Sequence, residues 1–307
     1  MKLAFNVLNS GLGNNGGSRT IIKCQETIET LGHSCDIIGT VDRFTWFKHK
    51  PILQSIPKCL DAIIATSAKT VNSTHAIKAR KKLWYIRAHE RWANTEKELI
   101  TYYRSGLENI VNSNGLKSQL ENYGVKSTVI YQGIDTDFWF QTCDKSTKRL
   151  RIGCLYSSKP RKNWKHFKQL SSILGTKDYE YVSIGDSPSN ESFICEEVVN
   201  GSMEQIRKLY SSCHIWFAPT DSEGLHNVPM EAALCGCLIV CANEPLNGMI
   251  MDYANENTAM IYPKQDIGAA AECVKNANFS LIDPMKNHII RHIGSRADNM
   301  MKLIAYI

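Results

Sequence analysis

No stretch of the chain approaches the roughly eighteen consecutive apolar residues that a membrane-spanning helix needs, so none is expected. The apolar part of Met1–Leu8 is short for a signal peptide and leads directly into a Gly-rich loop. The 11 cysteines contain no CxxC pair, and their count is odd. That argues against a zinc site and for reduced, mostly buried thiols in a cytoplasmic protein. Gly11-x-Gly13 lacks the third glycine of the dinucleotide fingerprint, which discounts NAD. Internal repeats, low-complexity tracts and nucleic-acid motifs are absent. The net charge of +6 suits an anionic substrate or an anionic membrane surface and is too small to argue for nucleic acid. The densest basic run, Lys78-Ala-Arg-Lys-Lys82, reads as a solvated helix end, with a peripheral membrane contact as the alternative.

What is present is an alternation of short apolar runs and helical periods. The 307 residues are enough for two domains. Leu3–Leu8 reads as a strand, Asn9–Ser18 as a Gly-rich loop, Arg19–Leu31 as a helix and Cys35–Ile38 as a second strand. That order opens a Rossmann-like unit. Further strands are expected at Asp61–Thr66, Leu83–Arg87, Glu108–Ser113 and Ser127–Tyr131, with a helix over Asn114–Asn122. A polar linker spans Thr142–Lys148, and Leu150–Leu155 starts a second series. Trp164–Leu174 and Pro284–Ile307 carry helical patterns. His89, with Arg87 and Glu90 as competitors, follows a strand at the carboxyl edge where open α/β sheets present functional groups.

The chain is organised around Asp221–Cys241. Two carboxylates, Glu223 and Glu231, frame the loop Gly224-Leu225-His226-Asn227-Val228. Asn227 is placed to cap a short apolar helix, with Pro229 in its first turn. Free amides at a helix start form an anion site, and carboxylates beside it accept hydrogen bonds from hydroxyls. A ligand with hydroxyls on both sides of phosphates, such as a nucleotide-sugar, fits that arrangement.

Glu223-Gly-Leu-His-Asn-Val-Pro-Met-Glu231-Ala-Ala-Leu-Cys-Gly236 resembles the Glu-x7-Glu signature of the retaining glycosyltransferases of family four. The preceding Met203–Pro219 is similar to the helix and strand that usually lead into it. Gln132-Gly-Ile-Asp-Thr-Asp-Phe138 resembles the segment that closes the first domain, and Asn247-Gly248 to Asp252 and Thr258–Tyr262 the tail of the second. His226 and Asn227 stand where the family has Gly-Leu, and Val228 where it has Pro. The resemblance implies the GT-B architecture: α/β, two Rossmann-like domains facing across a cleft. The expected boundaries are 1–145 for the acceptor side and 146–307 for the nucleotide-sugar side, with the last helix packing back on the first domain.

The same resemblance implies the site. Gly16 and Gly17 would lie beside the donor phosphate and the acceptor, and His89 would reach the donor sugar. Lys162 would hold the diphosphate. The family's phosphate-binding Arg falls near Ser157, so Lys159 or Arg161 would have to substitute. Glu223 would orient the sugar hydroxyls and Glu231 the ribose, while the amides of Gly224, Leu225, His226 and Asn227 would face the leaving group. The expected reaction is transfer of a sugar from a nucleotide-diphosphate-sugar to a glycan, glycolipid or other hydroxyl acceptor, with retention, no cofactor and no metal. The missing Arg raises the alternative of a non-catalytic nucleotide-sugar- or glycan-binding relative.

Overall fold

A computed structural model describes residues 1–145, 148–243 and 252–307. Part of the expected linker and the Asn247-Gly248 segment lie outside the described residues. The chain forms two compact units, Met1–Gly133 with Gly294–Ile307, and Ile134–Ile293.

The first unit runs β1 (Lys2–Asn6), α1 (Gly16–Thr30), β2 (Ser34–Ile38), β3 (Leu60–Ala65), α2 (Val71–Ala76), β4 (Ala79–Ile86), α3 (Glu96–Tyr103), β5 (Glu108–Val111), α4 (Asn114–Asn122) and β6 (Thr128–Val129). Its parallel sheet has the order β2-β1-β3-β4-β5-β6. β1, β2 and β3 are near-continuous runs of buried residues, as strands covered on both faces require. One face packs Phe5, Ile22, Ile28 and Ile64; the other packs Val71, Trp84, Leu99 and Leu116. Asn15 starts α1 by accepting the Ser18 amide at 2.9 Å, which satisfies one of the free N–H groups of the first turn.

The second unit runs β7 (Leu150–Leu155), α5 (Trp164–Leu174), β8 (Tyr179–Gly185), β9 (Ile194–Val199), α6 (Met203–Ser212), β10 (Ile215–Ala218), α7 (Asn227–Leu234), β11 (Leu238–Asn243), β12 (Met260–Pro263), α8 (Ile267–Lys275) and α9 (Ile282–His288). Its parallel sheet has the order β12-β11-β10-β7-β8-β9. The order reverses between β7 and β10, whose register pairs Ile152 with Ile215 and Cys154 with Phe217. Splayed loops at such a reversal leave a crevice outside the carboxyl ends of the two strands. Both units are therefore Rossmann-like.

Several expectations need correction. Lys78–Lys82 is not a helix end: β4 begins at Ala79, and Lys81 and Lys82 lie opposite Ala62 and Ile63 of β3. Arg80 lies 4.0 Å from Asp61, Lys81 donates to the Tyr306 carbonyl at 2.6 Å, and Lys82 to the His75 carbonyl. The helical pattern over Pro284–Ile307 is two helices. A π-turn over Ile289–Ile293 and Gly294, at φ +76°, break it. Ser295 then caps α10 (Arg296–Tyr306) by accepting the Asp298 amide at 3.1 Å. α10 belongs to the first unit, where Met300 and Leu303 join the core beside α1.

The units divide after Gly133 rather than after residue 145. The reason is the packing of the intervening segment on α6: Trp139 meets Tyr210 at 5.7 Å between ring centroids, Arg207 donates to the Phe138 carbonyl, and the Thr142 amide donates to Ser211. None of the described helices is long and apolar enough to cross a membrane. None of the cysteines is disulfide-bonded, and seven are buried: Cys24, Cys35, Cys154, Cys213, Cys235, Cys237 and Cys241.

Candidate active site

Two loops meet at the β7/β10 reversal. After β7, Pro160–Lys162 forms a single 3-10 turn, and Asn163 adopts the left-handed conformation at φ +52°. Asn tolerates that region better than most residues because its short amide side chain can bond locally. Here the Asn163 side chain donates to the Pro219 carbonyl at 2.9 Å. The Asp221 amide donates to the Arg161 carbonyl at 2.8 Å, tying the β10 loop to the β7 loop a second time. These bonds set the backbone that carries Arg161, Lys162 and Glu223.

The three charged side chains converge. Arg161 donates to the Ser222 carbonyl at 3.1 Å and to Glu223 Oε1 at 3.0 Å. Lys162 Nζ pairs with the same Glu223 oxygen. Lys162 and Glu223 side chains are only 13% and 17% exposed, so water screens the pair little. Burial pushes the Glu223 carboxyl up, but Lys162, His226 and Arg161 outweigh it and bring it down to about 2. It is thus a permanent carboxylate near neutral pH: it accepts hydrogen bonds and cannot serve as a general acid.

His226, not Asn227, occupies the N-cap position of α7, and its side chain makes no capping bond. Asn227 is the first helical residue, so the chain enters the helix one position earlier than its polar signal implied. The His226 imidazole is buried, and its Nε2 is shut from solvent without a hydrogen-bond partner. Burial first, then Lys162, hold its pKa down to about 3, against the pull of Glu223. The ring is therefore neutral. Its carbonyl accepts from the buried Tyr253 hydroxyl at 2.8 Å. Gly224 and Leu225 are buried beside it.

Glu231 lies inside α7 and is 4% exposed. Its carboxylate approaches the Tyr210 hydroxyl of α6 at 3.5 Å, while the ion pairs of Arg161 and Lys162 go to Glu223. Lys159 is exposed on the β7 loop, where its amide donates to Ser157 Oγ at 3.3 Å, and stands outside the ion-pair set. Of the two expected substitutes for the family's Arg, Arg161 is the one gathered beside Lys162. Its partnership with Ser222 and Glu223 could not be read from spacing, because it depends on how the β7 and β10 loops cross.

The remaining expected residues lie in the first unit. Gly16 and Gly17 are the first two residues of α1. A Cβ on Gly16 would meet nothing within 4 Å, whereas one on Gly17 would come within 3.1 Å of Asn15 Oδ1 and 3.3 Å of an Arg87 nitrogen. Arg87 donates to the Gly17 carbonyl at 2.6 Å and to the Thr66 carbonyl at 3.1 Å, so it braces the start of α1. Glu90, its carboxyl pushed up by burial, accepts from the Ala68 amide at 3.2 Å. His89 follows β4 at the carboxyl edge, with Nδ1 3.0 Å from the Tyr103 hydroxyl. Burial, and then Arg91, lower its pKa. Tyr103 carried no signal in the sequence beyond an apolar position. Among the described residues no cluster of three or more His, Cys, Asp or Glu is placed to hold a metal ion.

Residues 150–277 match the family model described as Glycosyl transferases group 1. That stretch holds the whole Lys159–Glu231 assembly. No curated protein matches the chain. Among solved structures, the chain is similar to a sucrose-phosphate synthase from Thermosynechococcus elongatus, at 14% identity and TM-score 0.77, covering 100% of this chain and 98% of that one. It is also similar to HepE from Anabaena in complex with UDP and glucose, at 12% identity and TM-score 0.76, covering 100% and 99%. A glycosyltransferase from Rickettsia africae matches at 15% identity and TM-score 0.74, covering 99% and 97%. At these identities the likeness shows the fold, two Rossmann-like α/β domains of the GT-B type.

Proposed function

We propose that the chain transfers a sugar from a nucleotide-diphosphate-sugar to a hydroxyl acceptor, a glycan or glycolipid, with retention of configuration and without a required metal. The observation that carries this reading is the Arg161–Glu223–Lys162 cluster at the β7/β10 reversal. The match of residues 150–277 to the glycosyl transferase family and the UDP and glucose bound to HepE support it.

The chemistry follows from the charges. As the glycosidic bond breaks, negative charge grows on the departing diphosphate. Two fixed cations and the amides at the start of α7 stabilise that charge more than the ground state, which is what lowers the barrier. Glu223 neutralises one cation before the donor arrives, so the cluster is not left with two unpaired buried charges. With the donor bound, the cations turn to the phosphates and the ionised Glu223 accepts from sugar hydroxyls. Glu231 would serve the ribose, and Gly16, Gly17 and His89 the acceptor and sugar side. Lys159 is left as an auxiliary phosphate contact at the loop's surface. A cytoplasmic setting fits a nucleotide-sugar donor. The basic run Lys78–Lys82 has intramolecular partners for Arg80, Lys81 and Lys82, which weakens the reading of it as a peripheral membrane contact.

The test is release of UDP from UDP-glucose and a small panel of other nucleotide-sugars, in the presence and absence of hydroxyl acceptors. Lys162→Ala is expected to lower kcat by about 10²–10³-fold, the range for removing one transition-state donor. Arg161→Ala is expected to raise donor KM as well. Wild-type turnover in Lys162→Ala would refute the site. Binding of a nucleotide-sugar without any turnover would assign the chain to the non-catalytic class.

A further inference from the structure

Four aromatic rings, Trp84, His89, Tyr103 and Tyr123, stand beside one another in the first unit. Tyr103, on α3, stacks on Trp84 of β4 at 5.0 Å between centroids. His89 lies 6.2 Å from Tyr103 and 6.0 Å from Tyr123, with interplanar angles of 26° and 23°. The Tyr123 hydroxyl donates to Glu96 at 2.9 Å, and Glu96 also pairs with Arg91 at 2.6 Å. The orientation of the His89 ring is therefore set by its neighbours before any ligand binds.

The bond between His89 Nδ1 and the Tyr103 hydroxyl has a direction. Tyr103 is 2% exposed, and Nδ1 is the hydrogen-bond partner of its hydroxyl. Either direction leaves one buried donor unpaired, the phenol proton or Nε2–H, so relative strength decides: a phenol O–H is a stronger donor than a neutral imidazole N–H, and a bare imidazole nitrogen a stronger acceptor than a phenol oxygen. The lower-energy arrangement has Tyr103 donating to a bare Nδ1. A neutral imidazole then carries its proton on Nε2. Burial and Arg91 favour that neutral ring, with Glu96 opposing. Nε2 is shut from solvent and has no partner. A buried N–H held in one orientation without an acceptor is uncommon, and a ligand oxygen would supply one once the atoms that cover Nε2 move aside.

We infer that Tyr103 is a positioning residue: its phenol fixes His89 as the Nε2–H form, making His89 a hydrogen-bond donor to a sugar hydroxyl or phosphate oxygen rather than a base. The ligand class rests on the proposed sugar transfer; the ring's proton position does not. His89 lies at the same end of the parallel sheet as Gly16 and Gly17, so the donor would act on the side of the ligand that those glycines admit.

The experiment is long-range ¹⁵N–¹H NMR of protein labelled at histidine nitrogens, at pH 7, with the His89 signals assigned by their loss in His89→Gln. The expected wild-type pattern is an unprotonated Nδ1 and a protonated Nε2. In Tyr103→Phe that preference should relax to a mixture of both forms. With UDP-glucose, or whichever donor the wild type turns over, kcat should fall about tenfold while donor KM stays within about twofold. A protonated Nδ1 in the wild type, or an unchanged ring in Tyr103→Phe, overturns the inference. A relaxed ring with unchanged kcat overturns the donor role of His89. Absence of transfer in the wild type would instead refute the sugar-transfer reading and leave the ring assignment to the NMR result.

Discussion

Replacing Glu223 by Gln should remove a stabilising contribution whose size and pH dependence follow from the site. The carboxyl is brought from an ordinary 4.5 down to about 2 by Lys162, His226 and Arg161 acting against burial. At about 1.36 kcal/mol per pKa unit, that separation corresponds to at most about 3 kcal/mol of folding stability at neutral pH, since the part owed to a charged His226 is absent where that ring is neutral. Because the folded-state value is depressed, the contribution is complete above the unfolded value near 4.5. It is lost as pH falls toward 2. Glutamine cannot ionise, so Glu223→Gln lacks this contribution at every pH. Urea unfolding of both proteins from pH 7 to pH 3 should show a gap of up to about 3 kcal/mol that narrows steadily below pH 4.5. With the Lys162 and Glu223 side chains 13% and 17% exposed, raising the salt to 0.5 M should leave most of the neutral-pH gap in place, unlike a surface pair. A gap that is absent at pH 7, or equally wide at pH 3.5, would show that the cluster does not hold Glu223 as argued.

Two further predictions concern other parts of the molecule. His226 is held neutral by burial and by Lys162, with its pKa near 3, so the unfolded chain takes up a proton below about 6.5 that the folded site refuses. Stability should fall as pH drops from 6.5 toward 3, and His226→Gln should flatten that slope; parallel slopes in unfolding titrations would refute it. Gly133→Ala should destabilise the first unit by roughly 2 kcal/mol or more in urea unfolding. Gly133 sits at φ +65°, and a Cβ there would collide with the Ser295 carbonyl and come within 2.5 Å of the Arg296 Cα. An unchanged midpoint would mean that α10 does not close onto this segment.

The class of fold was legible because it rests on local patterns. A Gly-rich turn between Leu3–Leu8 and Arg19–Leu31, and apolar runs recurring through both halves, are enough to announce parallel α/β units. α4 came out at its expected residues, since Ser113 caps it and Gly124 follows it. The charges of Lys78–Lys82 resemble those of a solvated helix face, whereas its pairing with β3 is a non-local fact. The helix expected over Pro284–Ile307 shows the same limit: its apolar positions continue through Gly294, and only the left-handed backbone there reveals the break.

For the site, the chain itself determined the residue types and where they fall relative to the strands: acids on either side of a helix start, a basic loop after β7, a histidine after β4. Those follow from spacing, which sequence contains in full. Which cation partners which acid was decided by tertiary structure. Arg161 and Lys162 both reach Glu223 because the β7 and β10 strands, distant in sequence, are neighbours at the point where the sheet order reverses. Likewise His89 meets the Tyr103 hydroxyl only because α3 packs beside the end of β4. Charge and hydrogen-bond energies depend on distance and dielectric, and only packing sets either.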